Sequence, residues 1–189
     1  MESVLDEDLY WRFSLAVYRD EGVARSCLAL QAEVGLDVNV LLMSLLAARW
    51  HRRPILRDEI EQADARVQAW RRDVVAPLRA VRSRLKSGPP PAPDPHTDAL
   101  RNEVKAAELR AERIEQQALA AWIDALAPAI GQRIARVEDC LDTADRVVEL
   151  YLARAPACDA EAELRGWACV VARACAGFRD ACLTDPRGG

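Results

Sequence analysis

The chain has 189 residues, 51% of them hydrophobic and 30% charged, with a formal net charge of −4. That length can bury a core of its own, and the composition is that of a globular protein, not a disordered or fibrous one. The longest apolar run is too short and too interrupted to span a bilayer, and the acidic N-terminus lacks the layout of a signal peptide, so a cytoplasmic address is the default expectation.

Residues 8–21 read as an amphipathic helix: Trp11, Leu15 and Tyr18 share a stripe, Phe13 and Val17 widen it, and Gly22 breaks it. A second helix over 23–34 carries Val23, Cys27, Leu30 and Val34. Gly35 suits its left-handed end, and Asp37 can cap the helix that follows. That third helix, 37–51, is the most continuously apolar run in the chain. A helix that is apolar nearly all round is usually buried all round, so 37–51 is expected at the centre of the fold. Asn39, in its first turn, is expected to fix how a neighbouring helix docks, because buried amides need partners. Arg52-Arg53-Pro54 closes the helix, since the residue before proline avoids helical backbone.

Tyr10-Trp11-Arg12-Phe13-Ser14-Leu15-Ala16-Val17-Tyr18, Gly22-Val23, Cys27-Leu28-Ala29-Leu30-Gln31 and Gly35-Leu36-Asp37-Val38-Asn39 resemble an uncharacterised proteobacterial family of small helical proteins, a domain of unknown function. Val75-Ala76-Pro77-Leu78-Arg79 and Val104-Lys105-Ala106-Ala107-Glu108-Leu109 are similar to it as well, so the resemblance covers roughly residues 9–126. It implies a helical fold and a cytoplasmic location, and it carries over no functional residue.

Leu56, Ile60, Ala63, Val67, Trp70, Val74, Pro77 and Val81 are spaced alternately by four and three, a coiled-coil seam. Pro77 removes a backbone donor and should kink this helix about one turn upstream; Leu78 and Leu85 continue the apolar side beyond it, giving one bent helix over 56–86. Residues 87–96 are proline-rich and read as an exposed connector. Thr97 or Asp98 can cap the next helix, whose seam is Leu100, Val104, Ala107, Ala111, Ile114, Ala118, Ala121 and Ala125, with Leu109, Leu119 and Trp122 broadening the contact face. Two arms of about 30 residues joined by a short linker should pack antiparallel as a hairpin, with 87–96 at its tip. Pro128 fits the first turn of a further helix with the seam Ile130, Ile134, Val137, Leu141, Ala144, Val148 and Tyr151. Pro156 ends it, Asp159 caps the last helix, and Leu164, Ala168, Val171, Cys175, Phe178 and Cys182 form the last seam. The expected fold is therefore all-α: a bundle of about seven helices around 37–51, one domain over 1–189, with 127–189 a C-terminal extension packed on the same body.

Chemistry is harder to find. Six cysteines (Cys27, Cys140, Cys158, Cys169, Cys175, Cys182) form no C-x-x-C pair and lie far from His51 and His96 in sequence, so they read as small core residues. No Glu-x-x-His, glycine-rich phosphate loop, nucleophile elbow or H-E-x-x-H motif occurs. No catalytic residue, metal ligand or cofactor is assigned. All but two of the 26 basic residues are arginine, and residues 49–86 carry a net +6 within an acidic protein. There Arg71, Arg72, Arg79, Arg82 and Lys86 fall on one sector of the helix and form the candidate binding stripe. Glu138, Asp142, Asp145 and Glu149 share another helix face, which could hold Mg²⁺ only with a second acidic motif opposite it. Asp58, Glu61 and Asp64 are too closely flanked by arginines to supply that motif.

The expected function is a non-catalytic cytoplasmic interaction module that binds a protein partner, with homo-oligomers able to form through the helix seams and no membrane contact. The alternatives are an anion- or nucleic-acid-binding protein using the 71–86 stripe, and an all-helical Mg-dependent enzyme using 138–149. If the stripe is an open interface, glutamate at positions 79 and 82 should leave the melting temperature nearly unchanged.

Overall fold

Two carboxylates and one glycine set the N-terminal frame. The Oδ1 of Asp20 accepts the backbone N–H groups of Gly22 and Val23 at 2.8 and 3.1 Å, so α1 (Glu7–Tyr18) is followed almost at once by α2 (Glu21–Val34). The break falls at Arg19–Asp20, and Gly22 lies inside the first turn of α2, not at the break. Gly35 takes φ 63° and its N–H bonds back to Gln31, ending α2. Asp37 then caps α3 (Val38–His51) through the N–H groups of Asn39 and Val40.

A computed structural model describes residues 7–128, 134–155 and 160–179. In it α3 is the centre: Val40 to Ala48 are all buried, and the helix touches α4 (Arg57–Trp70), α6 (Pro95–Ala125), α7 (Val137–Leu152) and α8 (Glu161–Gly177). Buried His51 at its end donates from Nε2 to the Ile123 carbonyl at 2.8 Å, and burial lowers its pKa. One contiguous buried cluster draws on α1 to α4 and on α6 to α8. Edge-to-face packing of Phe13 on Phe178, centroids 5.1 Å apart, ties the two ends together. No helix among the described residues is long and apolar enough to cross a membrane.

The bent arm runs through α4, a π-helical turn at Arg71–Val75, and α5 (Ala76–Ser87) without a break. Counted through the bend, the described residues hold seven helices and no strand. Pro77 cannot donate to the preceding turn, and the Ala76 N–H reaches back five residues to Arg71. The π turn inserts one residue, and the packed face advances by one position. Ile60, Ala63 and Val67 are buried before it; after it Val75 is buried and Leu78, Arg82 and Leu85 are half-buried, while Pro77 and Val81 face solvent. The predicted seam thus fails beyond Val74. It fails at its start too: Leu56 is the exposed N-cap, and its N–H goes to Glu59 Oε2 at 2.8 Å.

α5 packs along α6, and residues 88–94 join them. The cap of α6 is Asp94, not Thr97 or Asp98: its Oδ1 takes the His96 and Thr97 N–H groups, and Thr97 Oγ1 takes the Asp94 N–H. The face that α6 buries is rotated from the predicted alanine seam. Glu108, Ala111, Glu115, Leu119, Trp122 and Ile123 are inside, whereas Leu100, Ile114, Ala121 and Ala125 are exposed.

α7 starts at Val137, where the Asp139 carboxylate takes the Arg136 N–H, and not at Pro128, which is not helical. Of its predicted seam, Ile134 is 82% exposed and precedes the helix, Val137 is exposed, Ala144, Val148 and Tyr151 are buried, and Ile130 lies outside the described residues. α8 buries Leu164, Ala168, Val171 and Cys175 as expected; Pro156, Cys158, Asp159 and Cys182 lie outside the described residues. Cys27, Cys140 and Cys175 are buried free thiols and Cys169 is half-buried. Burial pushes Cys27 up to about 11 and Cys140 up to about 12, consistent with apolar packing groups.

Candidate functional site

The site grows from the cap of α3. Asp37 uses Oδ1 for the helix and Oδ2 for Arg71 Nη1, 2.5 Å away in the π turn. The same Nη1 reaches Asp64 Oδ1 at 2.9 Å, and Asp64 also accepts from Tyr151 (2.6 Å) and Arg154 (2.5 Å). Burial works against the charge of Arg71, but Asp37, Tyr151 and Asp64 outweigh it and hold the guanidinium above its usual range. Burial likewise raises Asp64, and the hydrogen bonds from Tyr151 and Arg154 with the charge of Arg71 outweigh that and lower it.

Beside this network α6 presents carboxyls and an amide. Asn39 Nδ2 donates to Glu115 Oε2 at 2.9 Å, and Gln116 Nε2 donates to Asn39 Oδ1 at 2.9 Å and to Ser14 Oγ at 3.0 Å. Asn39 therefore fixes the docking of α6 on α3, as its place in the sequence suggested. Burial first, and then the neighbouring Asp37 carboxylate, push Glu115 up to about 9, so it is a neutral acid at pH 7. Glu115 Oε1 and Gln116 Oε1 are buried with no hydrogen-bond partner among the described residues.

One turn further out, Arg79 bonds Glu108 Oε1 at 3.0 Å and Glu112 Oε1 at 2.8 Å, and Arg82 forms a short pair with Glu108. Those two arginines outweigh the burial of Glu108 and lower its pKa, whereas burial wins at Glu112 and raises it.

Between these groups lies a cavity of about 390 Å³. Asp37, Asn39, Glu115 and Gln116 form its polar floor. Arg71, Val75, Ala76, Arg79 and Arg82 form one side, and Trp11, Leu15, Tyr18, Leu28, Leu42 and Leu109 form the apolar remainder. The Trp11–Leu15–Tyr18 stripe of α1 is thus cavity wall, and the helix sends Leu9, Tyr10, Phe13 and Val17 into the core instead. The extra residue of the π turn lets Arg71 face Asp37 while Arg79 and Arg82 face α6. Such turns recur at functional sites for this reason.

Of the candidate stripe, the structure brings Arg71, Arg79 and Arg82 to the cavity and leaves Arg72 and Lys86 outside it. Arg72, exposed, pairs with its neighbour Asp73. The 138–149 face does not meet the stripe: Asp145 and Glu149 pair with Arg165 of α8, each at 3.3 Å. Among the described residues no group of three or more His, Cys, Asp and Glu is placed to hold a metal ion. Sequence reasoning passed over Glu108, Glu112, Glu115 and Gln116 as site residues, and weighed Asp64 only as part of a rejected metal-binding motif. The available signal was Glu108-Glu112-Glu115, spaced by four and three like a seam and set against an arginine-rich arm.

A family model described as a protein of unknown function (DUF2390) matches residues 9–119, more than half of the chain. No curated protein and no solved structure matches it. All of the cavity lining, from Trp11 to Gln116, falls within the matched span, while α7 and α8 fall outside it. By that match the chain belongs to the DUF2390 family of proteins of unknown function.

Proposed function

We propose that the chain is a cytoplasmic, non-catalytic binding module that takes one small molecule in the cavity between α1, α3, the π turn and α6. The observation that carries this is the pairing of an apolar, partly exposed wall with a buried polar floor whose Gln116 Oε1 has no partner. Ligand pockets combine such walls with a few placed polar groups at volumes of about 300–1,000 Å³. The free thiols among the described residues fit a reducing compartment.

The test is amide-resolved NMR of the full chain titrated with 2-phenylethanol, alongside Ala76→Trp, which fills the cavity mouth from an exposed position. Shifts confined to the lining and lost in Ala76→Trp support the reading. Absent shifts, or shifts indifferent to that substitution, overturn it.

A protein partner is the second reading, favoured by the exposed Leu15, Leu28 and Leu109 at the cavity (46%, 62% and 41% exposed). A photo-crosslinking residue at position 28 that traps one specific protein, displaced by no small molecule, would favour it. Nucleic acid has less to hold, because Arg71, Arg79 and Arg82 already have carboxylate partners.

A further inference from the structure

The charges around the cavity do not balance evenly. Three guanidiniums line it, and three carboxyl groups answer them: Asp37 for Arg71, Glu108 for Arg82, and Glu112 with Glu108 for Arg79. Glu115 is a fourth carboxyl, 1% exposed, with no ion pair among the described residues. The Asn39 amide donates to its Oε2, the Asp37 carboxylate lies near enough to help raise its pKa, and its Oε1 is buried with no hydrogen-bond partner among the described residues. Gln116 Oε1, an acceptor with no donor, belongs to the next residue on the same floor. The floor thus holds, among the described residues, a buried carboxyl in no ion pair and two acceptor oxygens with no donor.

We propose that the ligand is an organic cation, an ammonium on an apolar body, whose head sits between the Glu115 carboxyl and Gln116 Oε1. This rests on the small-molecule reading above and names the class of molecule. The ammonium donates to Glu115, then a carboxylate, and to Gln116 Oε1; its body lies against Trp11 and Leu15. The proton of Glu115 leaves to buffer as the cation enters, so the net charge of the site is unchanged. An anion would be drawn to Arg79 and Arg82 only by displacing Glu108 or Glu112.

The charged groups acting on Glu115 are Asp37 at the α3 cap and Arg71 in the π turn, with Asp64 and Tyr151 behind Arg71; Glu112 on α6 and Ser14 and Tyr18 on α1 line the same cavity. With Glu115 raised to about 9, cation and proton compete below that pH. A primary alkyl amine stays charged over the same range, as lysine does.

Calorimetric titration of the full chain with phenethylammonium, 2-phenylethanol and 3-phenylpropionate, in two buffers of different ionisation enthalpy, tests this. Phenethylammonium should bind about tenfold or more tightly than the alcohol, release close to one proton at pH 7, and gain about tenfold in affinity per pH unit until about pH 9. Glu115→Gln should abolish the preference and the proton release while the alcohol still binds. Preference for 3-phenylpropionate, or cation binding without proton release by the unmodified chain, overturns the inference and leaves the cavity reading standing. No binding by any of the three overturns both.

Discussion

Asp37 and Arg71 meet at 2.5 Å across the junction of α3 with the π turn, and Asp37 is at the same moment the N-cap of the central helix. One carboxylate therefore holds the start of the core helix, neutralises a partly buried guanidinium and raises the acid beside it. Fold and candidate site share this residue.

Asp37→Ala should accordingly cost more than an ordinary cap. Losing a cap costs about 1 kcal/mol, and leaving a buried partner without its counter-charge costs about 3–5 kcal/mol. Asp64 still holds Arg71, which favours a total near about 3 kcal/mol in urea unfolding. Asp37→Asn keeps a capping oxygen and should recover about 1 kcal/mol of that loss. Equal costs for the two substitutions would mean that the cap contributes nothing.

Arg79→Glu combined with Arg82→Glu gives a result opposite to the one expected of an open stripe. Both arginines serve Glu108, which is 4% exposed, so the double change sets new carboxylates against a buried one. The guanidiniums are themselves about a third exposed (34% and 28%), so solvent screens part of the effect. A loss of about 2 kcal/mol, several degrees in melting temperature, is expected. An unchanged melt would show these arginines free of Glu108 in solution.

Above neutrality the stability should fall with pH, and Glu115 is the reason. Its folded pKa, about 9, lies above its ordinary value, so between pH 7 and about 9 the folded chain holds a proton that the unfolded chain has lost. Stability then falls as pH rises, by at most about 1.4 kcal/mol per unit. Glu115→Gln should flatten the difference between urea midpoints at pH 7 and 9. The thiols titrate equally in both proteins and cancel. His51, lowered by burial, is neutral in both states across this window; its own contribution is lost only as pH falls below its unfolded value. Asp64, Glu59 and Glu108 are lowered, so their stabilisation is present above the ordinary carboxylate range and is lost only in acid. Identical slopes for wild type and Glu115→Gln would sink the description of Glu115 as a neutral acid at pH 7.

α3 was legible because its apolar run needs no phase and its two flanking signals, Gly35 and Asp37, are local chemistry. Cys27, Leu30 and Val34 fell on the right face of α2 for the same reason. That Pro77 disturbs the helix was legible as well, but not the form this takes: an inserted residue leaves no mark in a seven-residue pattern, so Pro77 and Val81 were assigned to the seam although they face solvent, while Leu78 and Leu85 were read on the apolar side and are half-buried. The face of α6 was read only in part: Ala111, Leu119 and Trp122 are buried as expected, but the buried side also carries Glu108, Glu115 and Gln116, whose partners lie 26 to 102 residues away. Hydrophobic periodicity cannot see a buried polar network, and an alanine seam looked better by that measure alone. The start of α7 depended on Asp139 bonding Arg136, a signal weaker than the proline that appeared to announce the helix earlier.

The register shift itself makes a prediction that separates the two arrangements of the arm. In an unbroken seam Val81 would face α6 and Leu78 would stand at its margin. With the π turn, Val81 is 48% exposed and Leu78 is half-buried. Val81→Asp should then change stability by less than about 0.5 kcal/mol, as a surface substitution does, while Leu78→Asp should cost about 1–2 kcal/mol by placing a carboxylate against the α6 contact. Both variants keep the arm's length and Pro77, so the comparison reads the facing of the helix and little else. Urea unfolding of the pair decides it. If Val81→Asp is the costlier change, the arm keeps plain α-helical phase through Pro77, Arg79 and Arg82 turn away from Glu108, and the cavity loses that side of its wall.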